Sequence, residues 1–345
     1  SAVKWWWEEA PGGSPGNHYE RIQGYKKNIR DLKKIIISED VNLVISNTVN
    51  VFQGAVAAAE LGVRHFWLIH EFPEGEFAYY REKLDFISYY SDQIFSVSGA
   101  LNEDLTNLLP KRKILNFIPF SYVKKINLKS AENSRIVQIG RITDNKNQIE
   151  LLKAYQKLNI NIPLVFIGAE DESYLKKCKD YIKSHRLDNV QFLGYRENPW
   201  IEVSKKDICV FTSKIETFGM VYIESLLNGI PTIVSNNKGY ESVKDIFSEG
   251  EMYPLGNTDA LSKMILDFLT NFDEKKQEMI HSREKILKLY SLDYAYREII
   301  QQVNLDVPCK SKDYEKYLSF LNVKVTMKDR LKQLLKNLVK LKKLR

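Results

Sequence analysis

Two clusters in the second half of the sequence have the residue types and spacing to handle phosphate. In Gly140-Arg141-Ile142-Thr143-Asp144-Asn145-Lys146, Arg141 and Lys146 stand five residues apart, directly after a short apolar run. Arginine offers phosphate oxygens a planar fork and lysine a point charge, so such a pair across a strand-to-helix turn suits a diphosphate. Taken singly, either would be an ordinary solvated cation. The second cluster runs from Phe211 to Pro231 and holds Glu216 and Glu224. It reads as a strand end, a turn, a helix ended by Gly229 and a new strand opened by Pro231. A helix starting near Phe218 turns its free N–H groups to the strand ends, where a phosphate is stabilised. Glu224 follows within two turns, near enough to touch the same ligand. Two plainer readings stay open: Glu216 as an N-terminal charge favoured by the helix dipole, and Glu224 as a solvated helix residue.

The elements that must position these residues can be read from hydrophobic runs. Residues 41–46, 65–70 and 93–97 form one series of short apolar runs. A second series takes 135–139, 163–167, 190–193, 208–211 and 231–234. Helical patterns separate the runs, and strands buried on both faces read as continuous apolar segments, so parallel βαβ sheets are expected. Two series predict two doubly wound α/β domains. Phe117 to Asn133 has little periodicity and is read as their boundary. The expected division is 1–120 for a short or truncated N-terminal Rossmann-like domain, 121–305 for a C-terminal one, and 306–345 for a linker and tail. Pro11 to Gly16 reads as a connecting turn, and Trp5-Trp6-Trp7 as packing for a missing or shortened neighbour.

Composition narrows the function classes. At 345 residues, 44% hydrophobic and 28% charged, the chain has material for large cores and lacks the polar bias of disorder. Its three cysteines, Cys178, Cys209 and Cys309, are far apart and its histidines unclustered, which supports neither a disulfide framework nor a zinc site and fits a cytoplasmic location. No apolar run approaches the ~18 residues of a membrane-spanning helix, and no signal peptide opens the chain. The chain begins Ser1-Ala2 rather than with Met, so its numbering is read as starting inside a longer natural protein. The net charge of +7 would invite nucleic acid. Residues 323–345, however, hold seven Lys, two Arg and one Asp, so everything before them sums to −1. A nucleic-acid footprint is not expected from so local an excess. Within that segment Lys324, Lys328, Lys332, Lys336 and Lys340 recur every four residues, and Leu331 to Leu344 at threes and fours, an amphipathic basic helix. It can anchor on an anionic leaflet or pack on protein; both readings stand.

Taken together, the second half resembles the donor-binding domain of retaining GT-B glycosyltransferases of the group 1 family, also called family 4. The likeness covers about Ser134 to Asn304. It rests on the Gly140-Arg141 to Lys146 turn, the strand ending at Gly168, Phe192-Leu193-Gly194, and a Glu-x7-Glu motif with Phe218, Gly219, Gly229 and Pro231 in place. The resemblance implies two Rossmann-like domains facing across a cleft. It also implies that Gly140, Arg141 and Lys146 hold the diphosphate of a nucleotide sugar, assisted by backbone amides from Thr217, Phe218 and Gly219. Glu216 would contact the transferred sugar and Glu224 the ribose. His70, ending a strand, matches a histidine the family keeps near the donor sugar, and Ser98 a further family position; a lone histidine there is otherwise a structural residue. Two departures are visible: the family's first strand and glycine-bearing loop have no clear counterpart beyond Gly12-Gly13, and Ile118-Pro119-Phe120-Ser121 replaces its Pro-Asn-Gly turn.

The resulting expectation is a retaining, hexosyltransferase-type enzyme. It would move a sugar from a UDP- or GDP-sugar to a glycan or lipid-linked acceptor in cell-surface polysaccharide or glycoconjugate synthesis. Glu216, His70, Arg141 and Lys146 would carry catalysis. No cofactor or metal is expected, since two cations serve the diphosphate and Asp-x-Asp is absent near the site. The protein would be cytoplasmic, peripheral at the inner membrane face if the tail docks there. The competing readings are a non-catalytic nucleotide-sugar-binding or assembly subunit and, more weakly, another GT-B activity such as nucleotide-sugar epimerisation.

Overall fold

The computed structural model describes residues 7, 17–122, 128–248, 250–305, 309, 312 and 315–321. The tail at 323–345, the turn at 11–16 with Gly12-Gly13, and Trp5-Trp6 lie outside the described residues. The chain divides into two compact units, one drawn from 1–96, 106–115 and 302–345, the other from 97–105 and 116–301.

The first unit opens with α1 (His18–Ser38), whose start is fixed by a capping box: the Asn17 side chain accepts from Glu20 N at 2.9 Å, and Glu20 accepts from Asn17 N at 3.2 Å. There follow β1 (Leu43–Ser46), α2 (Gln53–Leu61), β2 (Arg64–Ile69), a 3-10 stretch running into α3 (Leu84–Tyr90), β3 (Gln93–Val97), then α4 (Ala100–Leu108), of which 100–105 count with the second unit, and β4 (Ile114–Phe117), of which 116–117 do. The sheet order is β1-β2-β3-β4, with β1·β2 and β2·β3 parallel. Trp7 is buried, stacked on Phe52 with ring centroids 4.0 Å apart, and its indole donates to Val49 O at 2.8 Å. It packs in this unit's own core, where the sequence suggested packing for a missing or shortened neighbour. The C-terminal segment also closes on this unit: Arg64 donates to the carbonyls of Gln302 and Leu305, both at 2.7 Å.

The second unit carries β5 (Ile136–Ile139), α5 (Gln148–Leu158), β6 (Leu164–Ile167), α6 (Glu172–His185), β7 (Val190–Phe192), β8 (Ile208–Phe211), α7 (Met220–Leu227), β9 (Thr232–Ser235), α8 (Lys238–Phe247), β10 (Glu251–Tyr253), α9 (Thr258–Thr270) and α10 (Phe272–Leu289). Its sheet is parallel, in the order β10-β9-β8-β5-β6-β7. Every residue of β5, β6, β8 and β9 is buried, which is why these strands read as unbroken apolar runs. Ile136, Leu164, Ile208 and Ile233 pack with Leu151, Cys178, Leu261 and Ile265 from α5, α6 and α9 in one core. Between β5 and β8 the strand order reverses direction, and in doubly wound sheets ligands bind at the carboxyl ends on either side of such a switch point. Both sequence clusters sit there, in the turn after β5 and the loop after β8. Among the described residues no helix is long and apolar enough to cross a membrane.

Candidate functional site

The turn after β5 spans 140–147 and is clamped to its neighbours by backbone shape. A Cβ on Gly168 would meet Gly140 O at 2.0 Å, so the glycine that ends β6 lets that strand end lie against the turn. Asn147, in the left-handed region at φ 54°, ends the turn and leads into α5. Buried Gln138 donates to Lys146 O at 3.0 Å, and the Thr212 hydroxyl lies 3.0 and 2.9 Å from the carbonyls of Lys146 and Asn147. Asn145 does most to join the two loops. Its side chain accepts from Ile215 N at 3.1 Å and donates to Ile215 O at 3.0 Å, while its carbonyl accepts from Lys214 N at 2.8 Å.

That stitching brings Lys146 and Glu216 together: the ammonium and Glu216 Oε1 form a direct ion pair, with side chains 26% and 14% exposed. Seventy residues of sequence separate the partners, so the pair depends on the β5–β8 switch point. Arg141 stands exposed in the same turn, its carbonyl accepting from Gln148 Nε2 at 2.9 Å. Its charge helps hold the Asp171 carboxyl below the usual range, behind the Ser173 hydroxyl and the Tyr174 amide.

The glutamate loop is held from behind by α8. Asn237 caps that helix, accepting from Gly239 N and Tyr240 N at 3.2 and 3.1 Å, and donates to Ser213 O at 3.0 Å. Gly239 leaves no room for a side chain, since a Cβ would lie 2.2 Å from Glu216 O. Gly219, at φ 89°, would bring a Cβ within 2.3 Å of the Tyr240 ring. Burial holds the Tyr240 phenol well above its ordinary range, with the Glu216 charge adding to the effect, so it stays neutral. Phe218 is buried, while Thr217 and Gly219 are half-buried. The helix begins at Met220, two residues later than the expected start at Phe218, because Gly219 in its left-handed conformation breaks the chain direction first.

Glu224 is not a solvated helix residue. Its Oε2 accepts from the indole N–H of buried Trp200 at 2.9 Å, and burial raises its pKa against the opposing hydrogen bonds of Trp200 and Ser121. Tyr290 closes the same corner: its hydroxyl accepts from Ser121 N at 3.0 Å and donates to Pro119 O at 2.9 Å. The Ile118–Ser121 segment that departs from the family's turn is therefore tied to the Glu224 corner. Trp200, Asn145, Thr212, Asn237 and Gly239 were not singled out from sequence. Asn198-Pro199 before Trp200 marked a turn, but nothing local marked the glutamate it would meet.

Of the other expected residues, Ser98 belongs to the second unit, its hydroxyl 3.0 Å from Asn116 Oδ1 and 3.1 Å from Phe117 O. His70 ends β2 in the first unit, with Nε2 2.7 Å from Asn47 Oδ1. Burial lowers its pKa while the neighbouring Glu71 charge works the other way. Glu71 is itself held by Val49 N at 3.2 Å and His70 N at 3.1 Å, so the strand end presents an ordered imidazole beside a carboxylate. Among the described residues no three of His, Cys, Asp and Glu converge as a metal-binding group.

Residues 122–285 match the model of the glycosyl transferases group 1 family. The poly(glycerol-phosphate) alpha-glucosyltransferase of Bacillus subtilis is 27% identical over 214 residues, 59% of this chain but only 31% of its own length. The chain thus spans about a third of that relative. The GalNAc-alpha-(1->4)-GalNAc-alpha-(1->3)-diNAcBac-PP-undecaprenol alpha-1,4-N-acetyl-D-galactosaminyltransferase of Campylobacter jejuni is 25% identical, covering 83% of this chain and 80% of that one. Among solved structures, Anabaena HepE in complex with UDP and glucose superposes with a TM-score of 0.68 at 15% identity, over 84% of this chain and 83% of that one. The fold, two parallel-sheet α/β units, is that of GT-B glycosyltransferases. Over residues 122–285 the chain is similar to the glycosyl transferases group 1 family.

Proposed function

We propose that the protein transfers a sugar from a nucleotide diphosphate sugar, with retention of anomeric configuration and without a metal, to a glycan or lipid-linked acceptor. The observation that carries this reading is the pairing of Lys146 with Glu216 across the switch point, with Arg141 exposed in the same turn. A diphosphate entering there meets two cations, and as it draws Lys146 away it frees the Glu216 carboxylate to accept from a sugar hydroxyl. Bond breaking at the anomeric carbon leaves negative charge on the departing diphosphate. Arg141, Lys146 and the amides around Thr217 to Gly219 are suited to stabilise it. Two cationic side chains supply the charge a divalent ion would otherwise bring. Glu224, fixed by Trp200, serves the ribose, and His70 the reacting sugar.

The related names support the substrate class. The Anabaena protein was solved with UDP and glucose, the Bacillus relative is an alpha-glucosyltransferase, and the Campylobacter relative acts on an undecaprenol-linked glycan. A UDP-sugar donor and a membrane-proximal acceptor follow for this chain, acting at the cytoplasmic face with the 323–345 segment as a second contact to lipid.

Calorimetric titration of UDP and of GDP into the intact chain and the Arg141→Ala, Lys146→Ala double variant tests the donor site. UDP should bind, and the double variant should lose at least about tenfold in affinity, the equivalent of one charge-assisted contact. Equal binding by both proteins, or none by the intact chain, would remove the basis for the reading.

A further inference from the structure

We propose that the exposed face of α1, in the first unit, docks on an anionic lipid bilayer. Its inward face packs through Ile22, Tyr25, Ile29 and Ile36. Outward, Lys26, Arg30 and Lys34 stand one turn apart in a row, flanked by Lys27 and Lys33. Lys27 pairs with Asp31 and Lys33 with Glu60, whereas Lys26, Arg30 and Lys34 make no ion pair among the described residues. The row therefore presents uncompensated positive charge.

An apolar side chain accompanies the charge. Ile37, three residues beyond Lys34 and seven beyond Arg30 and so on the same side of the helix, is 67% exposed, although isoleucine is among the residues most often fully buried. Toward the other end, a cavity of about 370 Å³ opens between α1 and residues 318–321, with Lys26 and Arg30 beside Gln23, Ile29, Leu318 and Leu321, and with Glu60, whose carboxylate is matched by Lys33. With that acid paired, the two remaining cations beside apolar side chains suit an anionic headgroup continued by methylene groups. A basic helix face with a protruding aliphatic residue is the composition that settles into the headgroup layer.

Charge argues against the chain's own C-terminal sequence as occupant. Leu321 lines the cavity, and residues 323–345, which follow it, carry nine cations and one acid, the same sign as the α1 row. Like charges would repel there, whereas an anionic membrane attracts both. The proposal does not depend on the donor-site reading.

Vesicle flotation tests it, using the full chain with phosphatidylcholine alone and with phosphatidylcholine mixed with phosphatidylglycerol. The intact chain should float with the anionic vesicles only. Lys26→Glu, Arg30→Glu, Lys34→Glu should weaken that partition by about tenfold or more. The same reversal at exposed Lys153, Lys177 and Lys183 of the second unit changes net charge equally and should matter far less. Ile37→Asn should remove the binding that persists in high salt, and its melting temperature should stay at the native value because that side chain is already largely in water. This second variant decides the matter if the triple one melts early. Binding by both α1 variants at the native level, equal weakening by the second-unit control, or no preference for anionic vesicles would overturn the proposal. UDP titration of the same variants separates it from the donor site, since their affinity for nucleotide should be unaltered.

Discussion

Glu224 is a carboxylate whose burial works against its own ionisation. Burial disfavours its ionised form, so its folded pKa lies above the unfolded one. Folding thus favours the protonated acid: this contribution is fully present below the unfolded pKa and is lost as pH rises through the folded pKa. Glu224→Gln keeps an acceptor for Trp200 and removes the buried charge. It should melt higher than the native protein at pH 7, with the gap closing as pH falls through the carboxylate range, while binding UDP more weakly. Trp200→Phe keeps the ring and deletes one charge-assisted bond at 2.9 Å, a loss of about 1.5–3 kcal/mol if the carboxylate finds no other donor. Its pH-dependence of UDP binding should move upward, because the indole N–H that favoured the ionised form is gone. Arg141 and Lys146 stood out in the sequence because their types and spacing suit a diphosphate, and Glu216 through its place in the Glu-x7-Glu motif; the structure brings Lys146 and Glu216 together. Trp200 was not, since its role depends on meeting a glutamate 24 residues on that only the folded chain brings near.

At the scale of elements, the site is two loops made to act as one. Asn145 spans them with two side-chain hydrogen bonds. Asn145→Ala should cost about 1–3 kcal/mol, taking a net 0.5–1.5 kcal/mol per bond, and should weaken UDP binding several-fold while the secondary structure by circular dichroism stays native. Gly239→Ala intrudes on the Glu216 carbonyl without altering any group that meets ligand. Overpacking of this kind costs about 1–3 kcal/mol, and if the Glu216 loop shifts to relieve it, UDP affinity should fall with the fold retained. Buried parallel strands read plainly as apolar runs, and among the described residues eight of ten strands were expected. The two that were not, β4 and β10, have weaker signals: β4 is four residues with a central asparagine just before Pro119, and β10 is a three-residue edge strand beginning with an exposed glutamate. Their pairing comes from the sheet beside them, not from their own periodicity.

Across the whole molecule, acid should act first on the first unit's core. His65, fully buried with Nε2 2.9 Å from Ser46 Oγ, has its pKa lowered to about 3 by burial and by the Lys312 charge. A depressed pKa contributes stability above the unfolded value of 6.5 and loses it as pH falls toward 3, because only the unfolded chain takes up the proton. His65→Gln should flatten the fall of melting temperature between pH 6.5 and acid conditions; an unchanged slope would show that other groups govern it.

The order in which the chain visits its two units reaches further than architecture. It leaves the first at Ser96, returns at Thr106, leaves again after Leu115 and comes back at Gln302. Such a thread limits how the protein can be reshuffled. The second unit cannot be swapped for another by one crossover, because the incoming piece would have to accept a foreign strand end near residue 115 and hand back a compatible segment after 301. Recombination and chimera building are therefore confined to paired exchanges that keep 302–305 with Arg64, on which they close.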